Sequence, residues 1–577
     1  FIGLSKIEYT NYDKNDHFLS TQEEVEAALA TAPNGALFGS SYYRTPFPYR
    51  LWIYNAFAGS NSVFGRWMTK SFGKAPVLLS SVNPSLRAKV AQGLLRDRGY
   101  FGASVSYTEV PARNPKKAKI GYTVNMGSLH TIDTLTYNKF PNDAMALIDS
   151  TRSQALVKSG SPFDVSTLDA ERSRLGTLFR NNGYYYYQPG YASYLADTLS
   201  TDGKANLRLQ LADDVPARAL HKWYVGNVGL KMRRQYTDQL ADSFHFRHFT
   251  MFYDGKRPPM RARVIMKDMK LRHGQQYSYN DYVQSLNKLT EMGVFSMVDM
   301  KFTPRDTTAA SDTLDLMLDC IFDKPYDFYV ETNMTGKTTG RVGPGLVVGV
   351  TKRNAFRGGE KLDINLKGSY EWQTGHRADG NSSKFNSYEY GADVSLEFPR
   401  VLAPFWQHRH WYSTPTTMLK ASSSVLNRSG YFKRHVVSGE ITYSFQPTAT
   451  RRHQFSPLVL QYEYMKDPSG EFMEILDENP YLNYTMQDRF VPMMRYSFTY
   501  MSPSSFRNPI YWQTTFSEAS NILSLGYMAA GKRWNSKDKE LFKNPFAQFV
   551  KIETDFRKTW QVSDHSQLVA HFNGGVI

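Results

Sequence analysis

Beyond about residue 325 the chain consists of long runs in which apolar and polar residues alternate. In KLDINLKGSYEW, residues 361–372, apolar or aromatic residues occupy positions 362, 364, 366, 370 and 372, and polar residues fill the odd positions. SYEYGADVSLEF, residues 387–398, repeats the pattern, again with the apolar set on even positions. Because successive side chains of a strand point to opposite faces, a period of two predicts strands with one apolar face.

These runs are long enough to cross a membrane as strands. A transmembrane strand needs about 9–11 residues, whereas strands of globular sheets are typically about 5–6 residues long. The longest apolar runs, such as LVVGV at 346–350, are far too short for a transmembrane helix. The pattern therefore favours an antiparallel transmembrane β-barrel, with a soluble β-domain as the alternative because soluble sheets also alternate.

Before residue 325, three segments share a plan of helix, glycine and strands. The glycines just past the three predicted helices are Gly99, Gly183 and Gly293. Glycine adopts the left-handed backbone conformation at a helix end at low cost. The residue after each glycine is predicted to open a strand, so the tyrosine run 184–187 is interpreted as a strand with one face packed. Asn83-Pro84 and Ser278 are helix-start signals for the first and third segments.

The first of these segments carries an aromatic and basic insertion at 43–76. Contact with a lipid surface and simple local packing both remain open for it. The whole chain has a formal charge of +16, and basic proteins bind nucleic acid, anionic lipid or acidic partners. No zinc finger, basic zipper or RNP signature is present, so we expect no nucleic acid partner.

No motif in the sequence indicates an enzyme, a cofactor or a metal. GPGLVVG at 343–349 lacks the Gly-Lys-Ser/Thr that completes a phosphate-binding loop. The histidine pairs His245/His248 and His408/His410 have no third ligand nearby in sequence. Cys320 is the single cysteine, interpreted as a buried strand residue. We predict no catalytic residues, no cofactor and no metal.

The helix–Gly–strand segments resemble POTRA (polypeptide-transport-associated) domains. The stretch 343–372 resembles the first barrel hairpin of the BamA/TamA family of outer-membrane protein assembly factors. The residues that carry this likeness are Gly343, Gly345, Gly349, Asn354, Phe356, Arg357, Gly358, Gly359 and Glu360. Three repeats before a barrel are closest to TamA-like members of Bacteroidetes.

The resemblance implies an organisation and a location. It implies POTRA-like repeats at 1–126 (with the insertion), 127–214 and 215–324, and the N-terminal part of an outer-membrane β-barrel at 325–577. The fold class is thus α+β repeats followed by an antiparallel transmembrane barrel, incomplete because about eleven of the family's sixteen strands are counted. We expect the chain to be part of a longer protein, to begin at a trimmed N-terminus, and to keep its repeats in the periplasm of a bacterial outer membrane.

The resemblance also implies a function. Unfolded outer-membrane protein clients would pair with strand edges of the repeats and of the barrel seam, which is predicted to comprise Phe328, Tyr329, Val330, Glu331 and Thr332. Outer-membrane lipid and periplasmic or envelope proteins are the other expected partners. A secretion pore of the same architecture, which translocates polypeptide through the barrel, remains the alternative; a barrel-anchored hydrolase has no motif in its favour.

Overall fold

The structure is a computed structural model. It describes residues 1–37, 39–114, 117–306, 311–337, 341–373, 386–403, 411–503, 505–531, 533–534, 540–541, 544–563 and 566–577. The chain divides into two compact units, Phe1–Lys222 and Trp223–Ile577.

The first compact unit begins with an α+β domain whose strands are β1 (Glu8–Thr10), β2 (Ser104–Pro111) and β3 (Ala118–Asn125). Its helices are α1 (Asp16–Leu29), α2 (Tyr49–Phe57), α3 (Val63–Ser71), α4 (Leu79–Val82) and α5 (Pro84–Asp97). The sheet order is β1-β3-β2, with β1 parallel and β2 antiparallel to β3. Helices α1 and α5 bury Leu29 and Leu95 against Ile120 and Val124 of the central strand. As predicted, Asn83 caps α5 and Pro84 is its first residue.

A second α+β domain follows in the same compact unit. It contains β4 (Thr131–Asn138), α6 (Asn142–Ser150), α7 (Val165–Asn181), β5 (Ala192–Asp197) and β6 (Lys204–Leu211), with short 3₁₀ turns at Arg152–Gln154, Pro189–Tyr191 and Ala217–Ala219. Its sheet order, β4-β6-β5, repeats that of the first domain. The alternating strand β6 buries Leu207, Leu209 and Leu211, so one face of the sheet packs on the helices.

The tyrosine run 184–187 is not the strand that the sequence predicts. It forms a turn, and the strand after the glycine begins only at Ala192. Tyr184 and Tyr187 are buried against Phe179 at the end of α7, with ring centroids 5.7 and 4.8 Å from that of Phe179. Aromatic burial therefore bends this segment under the helix. In the first domain, likewise, β2 begins at Ser104 and not at Tyr100.

The second compact unit begins with a third α+β domain. Its elements are β7 (Tyr224–Arg233), β8 (Asp242–Phe246), β9 (Phe249–Tyr253), α8 (Ala262–Asp268), α9 (Tyr279–Glu291), β10 (Phe295–Pro304) and β11 (Thr313–Phe322). The hairpin β8–β9 extends the sheet beyond β7, which gives the order β10-β11-β7-β9-β8. As predicted, Ser278 caps α9 through its side chain.

The rest of the second compact unit is a large antiparallel sheet of eleven strands in consecutive order. These are β12 (Tyr326–Lys337), β13 (Arg341–Lys352), β14 (Lys361–Gln373), β15 (Ser387–Phe398), β16 (Thr416–Arg428), β17 (Phe432–Thr448), β18 (Arg451–Lys466), β19 (Arg489–Met501), β20 (Ile510–Ala519), β23 (Phe549–Ser563) and β24 (Ser566–Val576). Between them lie α10 (Gly470–Glu478), α11 (Pro480–Met486), α12 (Asn521–Ala529) and the two-residue strands β21 (Glu540–Leu541) and β22 (Asn544–Pro545). Within the described residues β12 and β24 do not pair, so the sheet is not closed. The predicted fold class, α+β domains followed by an incomplete antiparallel sheet of this size, is confirmed.

The third α+β domain and the large sheet belong to one compact unit, which begins at Trp223. None of the helices in the described ranges is both long and apolar enough to span a membrane.

Candidate functional site

The large sheet exposes its apolar face and covers its polar one. Leu366 is 58% exposed and Val394 is 41% exposed, whereas Asp393 is only 6% exposed. The Asn365 amide donates to the Asp393 carboxylate at 2.7 Å, and Lys367 forms an ion pair with the same carboxylate at 2.6 Å. A soluble domain would bury the apolar side, since contiguous exposed apolar surface marks a contact with a partner or a membrane. The predicted apolar positions on β14 and β15 thus form the bare face of the sheet.

The predicted seam residues Phe328, Tyr329, Val330, Glu331 and Thr332 all lie in β12. They pair antiparallel with 346–350 of β13. Phe328 and Val330 belong to the bare apolar face, where Val330 lies opposite Val348 and Val348 opposite Leu366. Tyr329 and Glu331 lie on the polar face. Among the described strands, β12 has β13 as its one neighbour, so the other edge of β12 has no ladder partner there.

The predicted glycines of β13 make room for the polar side chains of β12. A Cβ atom at Gly349 would clash with the Tyr329 ring, one at Gly345 with the Asn333 side chain, and one at Gly343 with the backbone of β14. Tyr329 therefore lies across Gly349, and its hydroxyl donates a hydrogen bond to Asn365 Oδ1 of β14. The N-terminal half of the edge strand is tied to the third strand of the sheet as well as to the second.

The C-terminal half of β12 is also tied to β14. Lys337 forms an ion pair with Glu371 of β14, while Met334 is exposed on the apolar face. The polar-rich stretch 332–339, whose last two residues lie outside the described ranges, predicts that the seam strand containing Phe328 to Thr335 is weakly paired. Backbone pairing with β13 nevertheless continues through Lys337.

The predicted Asn and Gly-Gly-Glu turn joins β13 to β14. Because β12 and β13 pair before it, this hairpin is formed by the second and third strands of the sheet. Asn354 and Gly359 have left-handed backbone angles, and Asn354 Oδ1 accepts a hydrogen bond from the Gly359 amide at 3.1 Å. The buried Glu360 carboxylate accepts one from the Gly358 amide at 2.7 Å. The turn is therefore held internally by its own side chains.

This turn is also clasped by the loop that precedes α8 in the third α+β domain. Arg357 Nε donates to the carbonyl of Pro258 at 3.0 Å, and Asn354 Nδ2 donates to that of Pro259 at 2.9 Å. In return, Arg261 donates through its backbone amide to the Arg357 carbonyl at 3.0 Å. These contacts, which we call the clasp, join the third domain to the turn between β13 and β14.

Sequence reasoning missed the clasp. It singled out Asn354 and Arg357 only through a family likeness and gave residues 258–261 no role. The available signal was the segment Arg-Pro-Pro-Met-Arg at 257–261, in which two prolines remove amide donors and leave carbonyls free to accept.

A second contact between the third domain and the large sheet lies at the end of α9. Thr414, just before β16, donates through its amide to the Glu291 carboxylate at 3.1 Å and through its hydroxyl to the Lys288 carbonyl at 3.3 Å. A cavity of about 270 Å³ lies beside it, lined by residues that include Gly293, Arg353 and Glu397. The third helix-end glycine, with φ of +63°, thus borders this contact.

A buried acid and base support α9 from within the third domain. Asp268 and Lys288 are both nearly inaccessible to solvent. Burial raises the pKa of Asp268 to about 6, although the nearby charge of Lys288 acts in the opposite direction. Burial lowers the pKa of Lys288, again with Asp268 opposing. Asp268, the last residue of α8, is therefore a buried group with a pKa of about 6 that lies under the influence of Lys288 in α9.

In the first compact unit, the helix-end glycines have the geometry that the sequence predicts. Gly99 and Gly183 have φ of +89° and +94°. The amides of Tyr100 and Tyr184 donate to the carbonyls of Leu95 and Phe179, five residues back, at 2.9 and 3.1 Å, which is the hydrogen bond of a Schellman cap.

Gly99 also lies where the first and second α+β domains meet. Its carbonyl accepts from the His130 amide at 3.0 Å. The adjacent Arg98 forms ion pairs with Glu24 of α1 and, at 2.7 Å, with Asp164, the cap of α7. The hydrogen bonds and charges of these carboxylates raise the pKa of Arg98. Burial alone would raise the pKa of Asp164, but hydrogen bonds from Ser166 and Arg98 bring it below its ordinary value.

In the described parts of the chain, no three His, Cys, Asp or Glu side chains are placed so that they could hold a metal ion. The His248 ring stacks on His273 with centroids 3.5 Å apart, and His245 contacts Thr250 at 2.8 Å. His408 and His410 lie outside the described ranges. Cys320 is buried in β11, and burial raises the pKa of its thiol to about 12, which leaves it protonated and unreactive at neutral pH.

No protein-family model matches the chain, and no curated protein matches it. Among solved structures, BamA from Haemophilus ducreyi lacking POTRA domains 1–3 is 11% identical, with a TM-score of 0.32, over 78% of this chain and 96% of that chain. CdiB from Escherichia coli is 11% identical, with a TM-score of 0.34, over 86% and 77%. POTRA1–3 of Omp85 from Anabaena is 11% identical, with a TM-score of 0.18, over 56% and 95%.

Proposed function

We propose that this chain belongs to an outer-membrane protein of the BamA/TamA type, whose large sheet is part of a transmembrane β-barrel. The bare apolar face of the sheet supports this, because Leu366, Val394 and their neighbours are apolar side chains without a protein cover. In lipid such a face is solvated while the polar face encloses water. The three α+β domains would be POTRA-like repeats in the periplasm.

Its function would be to assemble β-barrel clients by offering them strand edges. The observation that carries this proposal is the edge strand β12. It pairs on one side with a glycine-rich strand, and no other described strand pairs with Phe328–Thr332 on the other side. A client segment needs its backbone hydrogen bonds satisfied before it enters lipid. Adding its strand to β12 would satisfy them without a cofactor or a covalent step.

The α+β domains offer edges of the same kind. Strands β2, β5 and β10 each have one partner in their sheets, as far as the described residues show. Every residue of strand β2 is exposed except Val105, which is partly buried. An unfolded client strand in the periplasm could be held there before transfer to β12.

Photo-crosslinking from single positions tests the proposal and separates it from the secretion pore. A photo-reactive residue at Glu331 probes the edge strand, and one at Ser438, in the middle of β17, probes the polar interior of the sheet. Ser438 contacts Ser422 at 2.7 Å on that polar face. We expect adducts with newly made barrel proteins from Glu331 and few from Ser438. Adducts chiefly from Ser438 would instead favour translocation through the lumen.

A further inference from the structure

The insertion in the first α+β domain forms a short helical hairpin with its aromatic side chains outward. Helices α2 and α3 make up most of residues 43–76, which we call the aromatic hairpin. Phe64 is 60% exposed and Trp67 is 53% exposed. Other large side chains in or beside it that are exposed to solvent are Tyr43, Phe47, Tyr49, Trp52, Val63, Phe72 and Leu78. Packing within the domain therefore does not account for these aromatics.

The base of the aromatic hairpin is tied to the domain on both sides. The amide of Val77 donates to the Asn34 side chain at 2.7 Å, and the amide of Thr45 donates to the Gly35 carbonyl at 2.8 Å. Within the hairpin, the Lys74 amide donates to the Arg50 carbonyl at 3.0 Å, which holds the end of α3 to α2. The aromatic side chains are thus displayed from an anchored element.

On α3 the rings and the charges occupy different stripes. Phe64 and Trp67 are three residues apart with ring centroids at 6.0 Å, and Phe57 and Phe72 extend the cluster through contacts at 6.0 and 5.5 Å. Arg66 and Lys70 are four residues apart, which places them together on another side of the helix. The helix is amphipathic, but its apolar stripe has no cover among the described residues of the first compact unit.

All charged side chains within the aromatic hairpin have one sign. No Asp or Glu occurs between Glu26 and Asp97. The basic residues of the hairpin are Arg44, Arg50, Arg66, Lys70 and Lys74, all of them exposed. None of the described ion pairs involves them, so their charge is presented to solvent.

We propose that the aromatic hairpin binds the surface of a lipid bilayer that carries anionic headgroups. Aromatic rings favour the boundary between headgroups and acyl chains, and an amphipathic helix rich in Arg and Lys lies in the plane of that boundary. Anionic lipid attracts each basic residue near the surface, and the hairpin has no carboxylate of its own to oppose that attraction. The combination of exposed rings and charge of one sign points to lipid rather than to a protein partner.

An environment-sensitive fluorophore in the hairpin of the whole chain tests this proposal. Asn61→Cys places a thiol between α2 and α3, and Cys320 is buried and so escapes labelling. The labelled chain, held in phosphatidylcholine nanodiscs, is mixed with vesicles of phosphatidylcholine alone or with phosphatidylglycerol. We expect the fluorophore to enter an apolar environment, and to be quenched by brominated acyl chains, only with the anionic vesicles. A label at Asp202→Cys, in a loop of the second domain, should not respond.

Substitutions test whether the aromatic and the basic side chains of α3 each contribute to binding. Arg66→Gln with Lys70→Gln should weaken binding to the anionic vesicles by roughly thirtyfold, since each basic residue near such a surface contributes about fivefold. Lys119→Gln with Lys158→Gln makes the same charge change at exposed sites outside the hairpin and should have little effect. Phe64→Ser with Trp67→Ser should abolish insertion of the fluorophore. Because Arg66 and Lys70 are exposed, replacing them should leave the fold intact. The charge substitutions therefore test the proposal even if the aromatic substitutions disturb folding.

Several results would overturn the proposal. Equal binding to neutral vesicles, or binding unchanged by both pairs of substitutions, would remove the lipid surface as the partner. A response that appears without vesicles and grows with protein concentration would assign the hairpin to self-association. A response to membrane extracts but not to pure lipid vesicles would assign it to a protein.

Discussion

The Tyr329 hydroxyl donates a hydrogen bond to the side-chain oxygen of Asn365, two strands away in the large sheet. The bond passes over Gly349, where any side chain would collide with the tyrosine ring. Asn365 donates in turn to Asp393 of the next strand. The edge strand proposed to meet clients is thus held on its polar face by a chain of polar groups, while none of the described strands pairs with its outer backbone edge.

Tyr329→Phe and Gly349→Ala should remove the same hydrogen bond, the first by deleting the hydroxyl and the second by displacing the ring. Each should lower the stability of the folded sheet by about 1 kcal/mol. The double variant should lose less stability than the sum of the two single losses, because the effects of substitutions at interacting sites are not additive. The measurement is the heating temperature at which the folded species, which migrates faster on a denaturing gel, is replaced by the unfolded chain. Gly368→Ala, where nothing lies near the added carbon, is the control, and strict additivity would mean that the bond does not couple the strands.

Arginine should be tolerated on one face of the large sheet and not on the other. Leu366→Arg or Val394→Arg places a charge on the apolar face and should cost about 2–4 kcal/mol if the site is near the bilayer midplane. Ser395→Arg changes the neighbouring residue on the polar face and should be mild. The amount of folded protein in isolated outer membranes reports the difference. Equal losses on both faces would indicate a soluble β-domain.

Arg357→Ala or Asn354→Ala should release the clasp without unfolding the large sheet. Each removes one hydrogen bond to the Pro258–Pro259 carbonyls, so the third α+β domain should separate from the sheet more often. Asn354→Ala also removes the hydrogen bond from the Gly359 amide within the turn, so Arg357→Ala is the cleaner test. Faster limited proteolysis in the connection between β11 and β12 is the expected result. Arg272→Ala, an exposed cation of the same domain outside the clasp, should leave the cleavage rate unchanged. An unchanged rate in the clasp variants would mean that other contacts hold the domain.

The third α+β domain should become less stable as the pH rises through about 6. The folded-state pKa of Asp268 is about 6, above its ordinary value of 3.8, so its stabilising proton is fully bound below about pH 4 and lost as the pH rises through 6. The change should be at most about 2–3 kcal/mol, with Lys288, Lys267 and Glu291 as the other charges that act on the group. Hydrogen exchange of α8 and α9, corrected for intrinsic rates, measures it.

Asp268→Asn should flatten this pH dependence, because it removes the titrating group. Asp254→Asn, at an exposed site in the same domain, should leave it as it is. A slope that survives Asp268→Asn would place the titration on another group.

Local pattern was enough to predict much of the architecture. Alternation at 361–372 and 387–398 identified two strands and their apolar face, because the side-chain period of a strand depends only on its own backbone. The helix ends at Gly99, Gly183 and Gly293 were predictable for the same reason: a left-handed residue after an amphipathic stretch is a local requirement. The tyrosine run at 184–187 was predicted wrongly, because its path depends on burial against Phe179.

The sequence by itself determined where strands and helix ends occur and which side chains share a face. Only the tertiary structure decided that Tyr329 reaches Asn365 across Gly349, that Arg357 and Asn354 meet the Pro258–Pro259 carbonyls, and that the third α+β domain joins the large sheet rather than the domains before it. It also decided that the rings of the aromatic hairpin are exposed to solvent. These features depend on contacts between residues far apart in the chain, and a spacing pattern contains no information about which distant backbone a side chain will meet.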